Sequence, residues 1–373
     1  MRPEWGTSLV FAASGTVQAS WFSRLPAIRD QIHADLAGIG IALTALGTGT
    51  LVAMAVAGVA CRRFGPRRVV SCATVIGCVS LAAVGGVRSF AQLVGVLLVF
   101  GLAIGAWDGA MNIQGVAVER ANKLHWMSLF HGWWSVGSVV GAGLGVAAAK
   151  LGVPIAVHLG AVAILTLIVG LQGAFGSADG PPAADKVPGR HRLGIVAVLI
   201  LVGATIEGAA GDWLAIFLGD HHGFTRAGAS AGYAVFVVAL AVGRFAATVS
   251  HRVIGIALTV RIGAAVAALG VIFVVFPSAV EMAMVGAALW GLGICGVFPA
   301  ALSASGNSGS DDSVAAMTSI GYGAGVVGPI IISTLAGARD LGTALLVLPW
   351  LAVILIVFAR HLGRQEATSD GDG

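Results

Sequence analysis

The chain has 373 residues, of which 57% are hydrophobic and 10% charged, against about 25% charged in an ordinary soluble domain. With a mean hydropathy of +0.94, it has too few polar groups to cover a water-facing surface, which excludes a soluble enzyme, a nucleic-acid reader and a disordered protein. The net charge of +4 brings back no nucleic-acid partner, because the basic residues are scattered between apolar blocks, as in the loops of membrane proteins.

A membrane-spanning helix needs about 20 mostly apolar residues, and such blocks follow one another along the chain. They predict spans near 5–24, 37–60, 69–87, 91–118, 127–149 and 154–175, then 194–218, 229–249, 260–276, 279–303, 314–337 and 341–360. The first is not expected to be a signal peptide. Its long apolar stretch runs into Trp21-Phe22-Ser23-Arg24-Leu25-Pro26 without a small-residue cleavage site. The one long polar stretch, 176–193, carries three prolines and reads as a flexible cytoplasmic linker. It divides an N-terminal six-helix bundle (1–175) from a C-terminal one with a short cytoplasmic tail (194–373). The fold class expected is therefore an all-α integral membrane protein of twelve spans. With the N-terminus inside, fourteen of the 21 Lys and Arg residues fall in inner segments and six in outer ones, which predicts both termini in the cytoplasm.

The halves echo each other. Gly101-Leu102-Ala103-Ile104 matches Gly291-Leu292-Gly293-Ile294, Ala19-Ser20-Trp21-Phe22 matches Gly211-Asp212-Trp213-Leu214, and Ser135-Val136-Gly137 matches Ser319-Ile320-Gly321. All three offsets lie near half the length, as in transporters built from repeats. Gly137, Gly141 and Gly145 on span 5, and Gly321 and Gly325 on span 11, have the GxxxG spacing that brings helices close. Cys61, Cys72, Cys78 and Cys295 show no metal or CxxC spacing and read as buried small hydrophobes.

Ionisable groups inside a span cost about 2.5–3.5 kcal/mol each at the helix centre, so those present need a reason. Asp108 lies deep in span 4, with Asn112 one turn on along the same face. A buried carboxyl can take up and release a proton, and the neighbouring amide suits a polar substrate. Glu207 in span 7, followed by Gly208-Ala209-Ala210-Gly211, is a second proton-coupling candidate in a locally loosened helix. Asp212 lies five residues on, about 140° round an α-helix, and reads as a substrate-binding or outer-gate residue. Arg244 in span 8 is expected to snorkel or to pair across helices. Gln18 and Trp21 share a face of span 1, and His131, Trp134 and Ser138 share one of span 5. These, with Tyr322 in span 11, are candidate substrate contacts. The competing readings are an aromatic belt for Trp126, Trp133 and Trp134 and core packing for Tyr322.

Gly58-Val59-Ala60-Cys61-Arg62-Arg63-Phe64-Gly65-Pro66-Arg67-Arg68 resembles the helix 2–3 signature of the major facilitator superfamily at Gly58, Arg63, Gly65 and Arg67. It departs at Arg62, where the family has an acidic residue, and at Pro66, where it has an arginine. The resemblance implies a cytoplasmic gating loop over Gly58, Arg62, Arg63, Gly65 and Arg67. The alternative is an anchor to anionic headgroups. Trp21 to Arg29, Asp108-Gly109-Ala110-Met111-Asn112 and Phe130-His131-Gly132-Trp133-Trp134-Ser135 are similar to a bacterial branch of the superfamily, and distantly to the fucose–proton symporters. The implied fold is the major facilitator fold, with alternating access to a central cavity near the bilayer midplane. The expected partners are a small solute, protons and the lipid bilayer of a bacterial inner membrane, with the chain acting as a monomer. No nucleotide loop or metal spacing is present, so no cofactor and no enzymatic reaction are expected. Proton-coupled symport of a small polar solute is the leading expectation. Efflux of an amphipathic drug or metabolite, or a non-transporting membrane sensor, are the alternatives.

Overall fold

In hydrocarbon the only partners available to backbone N–H and C=O groups are the chain's own, so an apolar chain of this kind coils. The computed structural model describes residues 2–122, 127–177, 193–276, 279–298, 300–301 and 311–363, and no strand occurs among them. The helices are α1 (Pro3–Ile32), α2 (Leu36–Phe64), α3 (Pro66–Gly86), α4 (Phe90–Asn122), α5 (Met127–Lys150), α6 (Ile155–Gly176) and α7 (Leu193–Ala209). A π-helical turn (Ala210–Leu214) leads into α8 (Ala215–His222). Then come α9 (Arg226–Ile254), α10 (Ile256–Val275), α11 (Val280–Ile294), α12 (Asp311–Ala338), α13 (Leu341–Leu345), α14 (Val347–Phe358) and α15 (Arg360–Gly363). Most of the stretch expected as a linker lies outside the described residues, as do Lys123 and Trp126.

Ten helices among the described residues are long and apolar enough to cross a membrane, and Val280–Ile294 is a shorter apolar helix. α1 is long enough but carries Thr7, Ser8, Ser14, Thr16, Ser20, Ser23 and Arg24, all buried and spread round the helix. Protein rather than lipid surrounds most of it. Three expected spans differ in outline. α1 does not stop before Pro26 but continues to Ile32. The tenth span is not continuous over 279–303: α11 ends at Ile294, before a turn at Cys295-Gly296. The last is broken at Leu346, because Pro349 has no N–H for the Leu345 carbonyl oxygen. Asp35 and Asp340 start α2 and α13 as N-caps, accepting from Gly38 N (2.7 Å) and Thr343 N (2.9 Å). The bonds from Thr343 hold the exposed Asp340 carboxyl below its usual range.

The chain divides into two compact units, Met1–Ala183 with Phe224–Ala234, and Ala184–Gly223 with Val235–Gly373. In the first, α1 packs on α5 and α6, α2 on α4, and α3 on α4 and α6. In the second, α10 packs on α11 and α14, and α7 on α12 and α14. Glycines set these contacts. A Cβ at Gly137 would collide with the Ala12 carbonyl oxygen, and one at Gly141 with that of Thr16. The close approach lets Thr16 Oγ1 donate to Gly137 O (3.0 Å) and Ser20 Oγ to Gly141 O (3.3 Å). On α12, Gly321 faces the Phe298 ring, and Gly325 is exposed.

The echo between halves has a physical basis. A Cβ at Gly101 would strike the Leu46 carbonyl oxygen, and one at Gly291 that of Phe236. Gly65 (φ 83°) and Gly255 (φ 79°) turn α2 into α3 and α9 into α10 with backbone angles that L-residues rarely adopt. The outward faces are apolar at helical spacing, as with Val52, Val56 and Val59 on α2 and Ile164, Leu165 and Ile168 on α6. Patches of this extent are rare on soluble monomers. Cys61, Cys78 and Cys295 are buried as expected, whereas Cys72 is exposed. Its place one residue off the buried stripe Val70, Ala73 and Thr74 accounts for that.

Gly141→Leu forces α1 and α5 apart and is expected to cost about 2 kcal/mol or more. Gly143→Leu, where an added Cβ meets nothing within 4 Å, should change stability by less than about 0.5 kcal/mol. Thermal unfolding of the two purified variants in detergent checks the contrast.

Candidate functional site

α1 and α4 of the first unit bring together a hydrogen-bond chain ending on a carboxylate. Asp108 is 3% exposed. Ser14 Oγ donates to Asp108 Oδ1 (3.1 Å), and Gln18 Nε2 donates to Ser14 Oγ (3.1 Å). Ser14 and Gln18 are four apart on α1, hence on one face. The two donors run in series, from Gln18 to Ser14 and from Ser14 to the acid. Asn112 does not brace the carboxylate: its Nδ2 donates to the Asp108 main-chain oxygen (2.8 Å), and the residue is half-buried. Trp21 does not line this chain with Gln18. It is 1% exposed, its ring packs on Phe22 (5.6 Å), and its indole nitrogen has no hydrogen-bond partner.

On α5, His131 is exposed and meets Phe11 edge-on (5.4 Å), while Trp134 is half-buried. The carbonyl oxygen of Trp134 accepts from Ser138 Oγ (3.0 Å) and abuts Gly15 of α1. Trp133 pairs edge-on with Trp5 (6.4 Å) near the start of α1, an aromatic cluster at one end of the unit.

The gating loop expected over Gly58 to Arg67 is almost wholly helical: Gly58, Arg62 and Arg63 belong to α2, Arg67 to α3, and Gly65 lies between them. In the last turn of α2, Arg62 and Arg63 are exposed, and the Arg63 guanidinium lies 5.5 Å from the Phe64 ring centroid. A Cβ at Gly58 would meet Arg62 Nη1 at 3.7 Å. Gly65 closes α2 by donating its N–H to Cys61 O (2.9 Å). Arg67 Nη2 donates to Ser177 O at the end of α6 (3.0 Å), and Gln114 Nε2 to Ser177 Oγ (2.7 Å). A cation at a helix C-terminus is electrostatically favourable. The matched arginine thus ties α3 to α6, with Gln114 of α4 on the same residue. Arg261 repeats the device in the second unit, its Nε donating to Ile356 O near the end of α14 (3.2 Å).

The second unit pairs its in-span charges. Arg244 Nη2 lies 2.8 Å from Glu207 Oε1, and both side chains are 23% exposed. Of the two roles expected for Arg244, pairing across helices is the one found. The π turn starts three residues after Glu207 and contains the half-buried Asp212. It widens the helix, so the 140° separation expected on a regular α-helix does not apply. Such turns recur at functional sites. Trp290 Nε1 donates to Ile206 O (3.0 Å), fixing α11 beside Glu207. Tyr322 is half-buried on α12, the helix packed on α7. Sequence reasoning missed Ser14. Its signal was its position four residues before Gln18 in a helix that must answer a buried acid.

The model of the Major Facilitator Superfamily matches residues 7–333. The chain is 31% identical to an uncharacterized MFS-type transporter of Yersinia pestis, over 96% of this chain and 95% of that protein. It is 29% identical to a transporter of Sinorhizobium fredii, over 97% and 98%, and 26% identical to the membrane protein MosC of Rhizobium meliloti, over 95% and 90%. Its fold is similar to the nucleoside transporter NupG (TM-score 0.73, 15% identity, covering 97% of this chain and 99% of that one). It is also similar to a bacterial homolog of the human lysosomal transporter Spinster (TM-score 0.75, 15% identity, 99% and 98%). This chain belongs to the major facilitator superfamily, and it is a membrane transporter rather than an enzyme.

Proposed function

We propose that this transporter moves a small polar solute across a bacterial cytoplasmic membrane by alternating access, coupled to protons through Glu207 and Asp108. The fold expected for this is twelve spans in two six-helix halves, with both termini cytoplasmic. The observation that carries the reading is the Arg244–Glu207 contact at 2.8 Å. A carboxylate held by a guanidinium inside helices is stable as an ion pair. Once Glu207 binds a proton, its attraction for Arg244 falls, and the α7–α9 tie weakens beside the π turn. Asp108 offers a second switch. As a carboxylate it only accepts hydrogen bonds, whereas a protonated acid also donates. Protonation therefore disturbs the Ser14–Gln18 chain and with it the amide that Gln18 presents. The solute contacts proposed are Gln18, Asn112, His131, Trp134, Tyr322 and Asp212. The α2–α3 junction, with Gly58, Arg62 and Arg63 on α2, Gly65 between the helices and Arg67 on α3, is proposed to gate by holding α3 to the end of α6.

Removing one partner of the pair exposes the energetics. Arg244→Gln strands a charge on Glu207 and should lower stability by roughly 2–3 kcal/mol. Adding Glu207→Gln to that variant should restore most of the loss. Thermal unfolding of the two single variants and the double variant reads the coupling.

Transport is the functional test. In proteoliposomes screened against small polar solutes, the wild type is expected to accumulate its solute when a proton gradient is imposed. Glu207→Gln should reduce that accumulation at least about tenfold while keeping solute-for-solute exchange. Gradient-driven accumulation at the wild-type level in Glu207→Gln removes Glu207 from the coupling role. Solute driven outward by an inward proton gradient replaces symport with efflux.

A further inference from the structure

Arg24 is an unusual residue in this chain. It lies eight residues before the end of α1 and is 5% exposed. Its Nη2 donates to Val153 O (2.9 Å), in the turn between α5 and α6. Its Nε and Nη1 are buried and have no hydrogen-bond partner among the described residues. His158, one turn into α6, is 6% exposed, and neither of its ring nitrogens has a partner among the described residues. The two residues belong to one cluster. Arg24 bonds the carbonyl group five residues before His158, and its charge acts on the His158 ring. Ser23 and His158 Cε1 both flank the position where Gly145 lacks a side chain.

Arg24 Nε and Nη1 and the single N–H of a neutral His158 ring are buried donors without an acceptor among the described residues, an arrangement that suits an electron-rich partner. The positive balance is local. Arg226 also acts on Arg24, and Arg226 itself is paired with Asp30 (3.5 Å), which Arg29 engages too (3.1 Å). A buried guanidinium without a counter-charge costs several kcal/mol. The first turn of α6 adds the positive end of a helix dipole. The neighbouring Leu25, Ile28 and Leu159 are fully packed, so the occupant is small.

We propose that Arg24 and His158 hold a small monovalent anion, of which chloride is the simplest, between α1 and the start of α6. The ion accepts from the guanidinium fork and from an imidazole N–H. It locks the end of α1 to α6 and makes the folded first unit dependent on the anion.

The test is thermal unfolding of the purified full-length transporter in detergent, with sodium chloride replaced stepwise by sodium gluconate at constant ionic strength. The wild type should show a midpoint that rises saturably with chloride. His158→Gln should need about tenfold more chloride for the same rise, the loss expected for one hydrogen bond to a charged group. Arg24→Gln should show no chloride-dependent rise. Equilibrium dialysis of radiolabelled chloride with the wild type and His158→Gln decides the matter if Arg24→Gln does not fold. A wild-type midpoint indifferent to chloride, with no bound radiolabel, overturns the proposal and leaves ordered water as the partner. Wild-type chloride dependence in His158→Gln overturns it as well.

Discussion

Arg244 and Glu207 meet at 2.8 Å between α7 and α9, in a chain with only 10% charged residues. Either charge alone at the centre of a membrane helix would cost about 2.5–3.5 kcal/mol on insertion scales. Together they neutralise each other, and the pair becomes a fixed point on which α7, its π turn and α9 are arranged. In the first unit, hydroxyl and amide donors stand in series on the acid: Gln18 donates to Ser14, and Ser14 to Asp108. One half answers its acid with a cation and the other with a relay. The consequences of adding a proton therefore differ, since the first loses an ion pair and the second gains a competing donor.

The rest of the architecture serves these contacts by letting backbones approach. Where Gly137 and Gly141 face Ala12 and Thr16, helix carbonyl groups accept side-chain bonds from the neighbouring helix. Such bonds replace the water that a soluble protein would use. Gly101 and Gly291 perform one task in the two halves, as do Arg67 and Arg261 at helix ends. The repeat is thus visible in what the residues do, beyond their order in the chain.

Much of this was legible in the sequence because hydropathy and glycine spacing are local properties. The apolar blocks gave nearly every helix, and the Gly137–Gly141 steps marked a close-packed face of α5 without naming the helix it meets. The loosened helix expected after Glu207 is the π turn. What escaped depends on which helix lies against which. Nothing local says that Asn112 turns to its own backbone, that Trp21 is sealed in the core, or that Cys72 faces outward. The apolar block bounds span 1 at 24, and Pro26 lies just beyond, where proline usually breaks a helix. α1 passes through it because packing on α5 and α6 outweighs one lost hydrogen bond. Glycines at 291, 293 and 296 weaken helix in the tenth span, yet sequence alone does not fix where it stops.

The central claim is that Glu207 changes its protonation when solute binds. The direct measurement is the proton count on binding: solute is added to weakly buffered, detergent-solubilised transporter, and the pH change is read with an indicator dye. The account predicts a stoichiometric proton exchange in the wild type that is lost or halved in Glu207→Gln. Solute binding that moves no protons, or moves as many in Glu207→Gln as in the wild type, would contradict it.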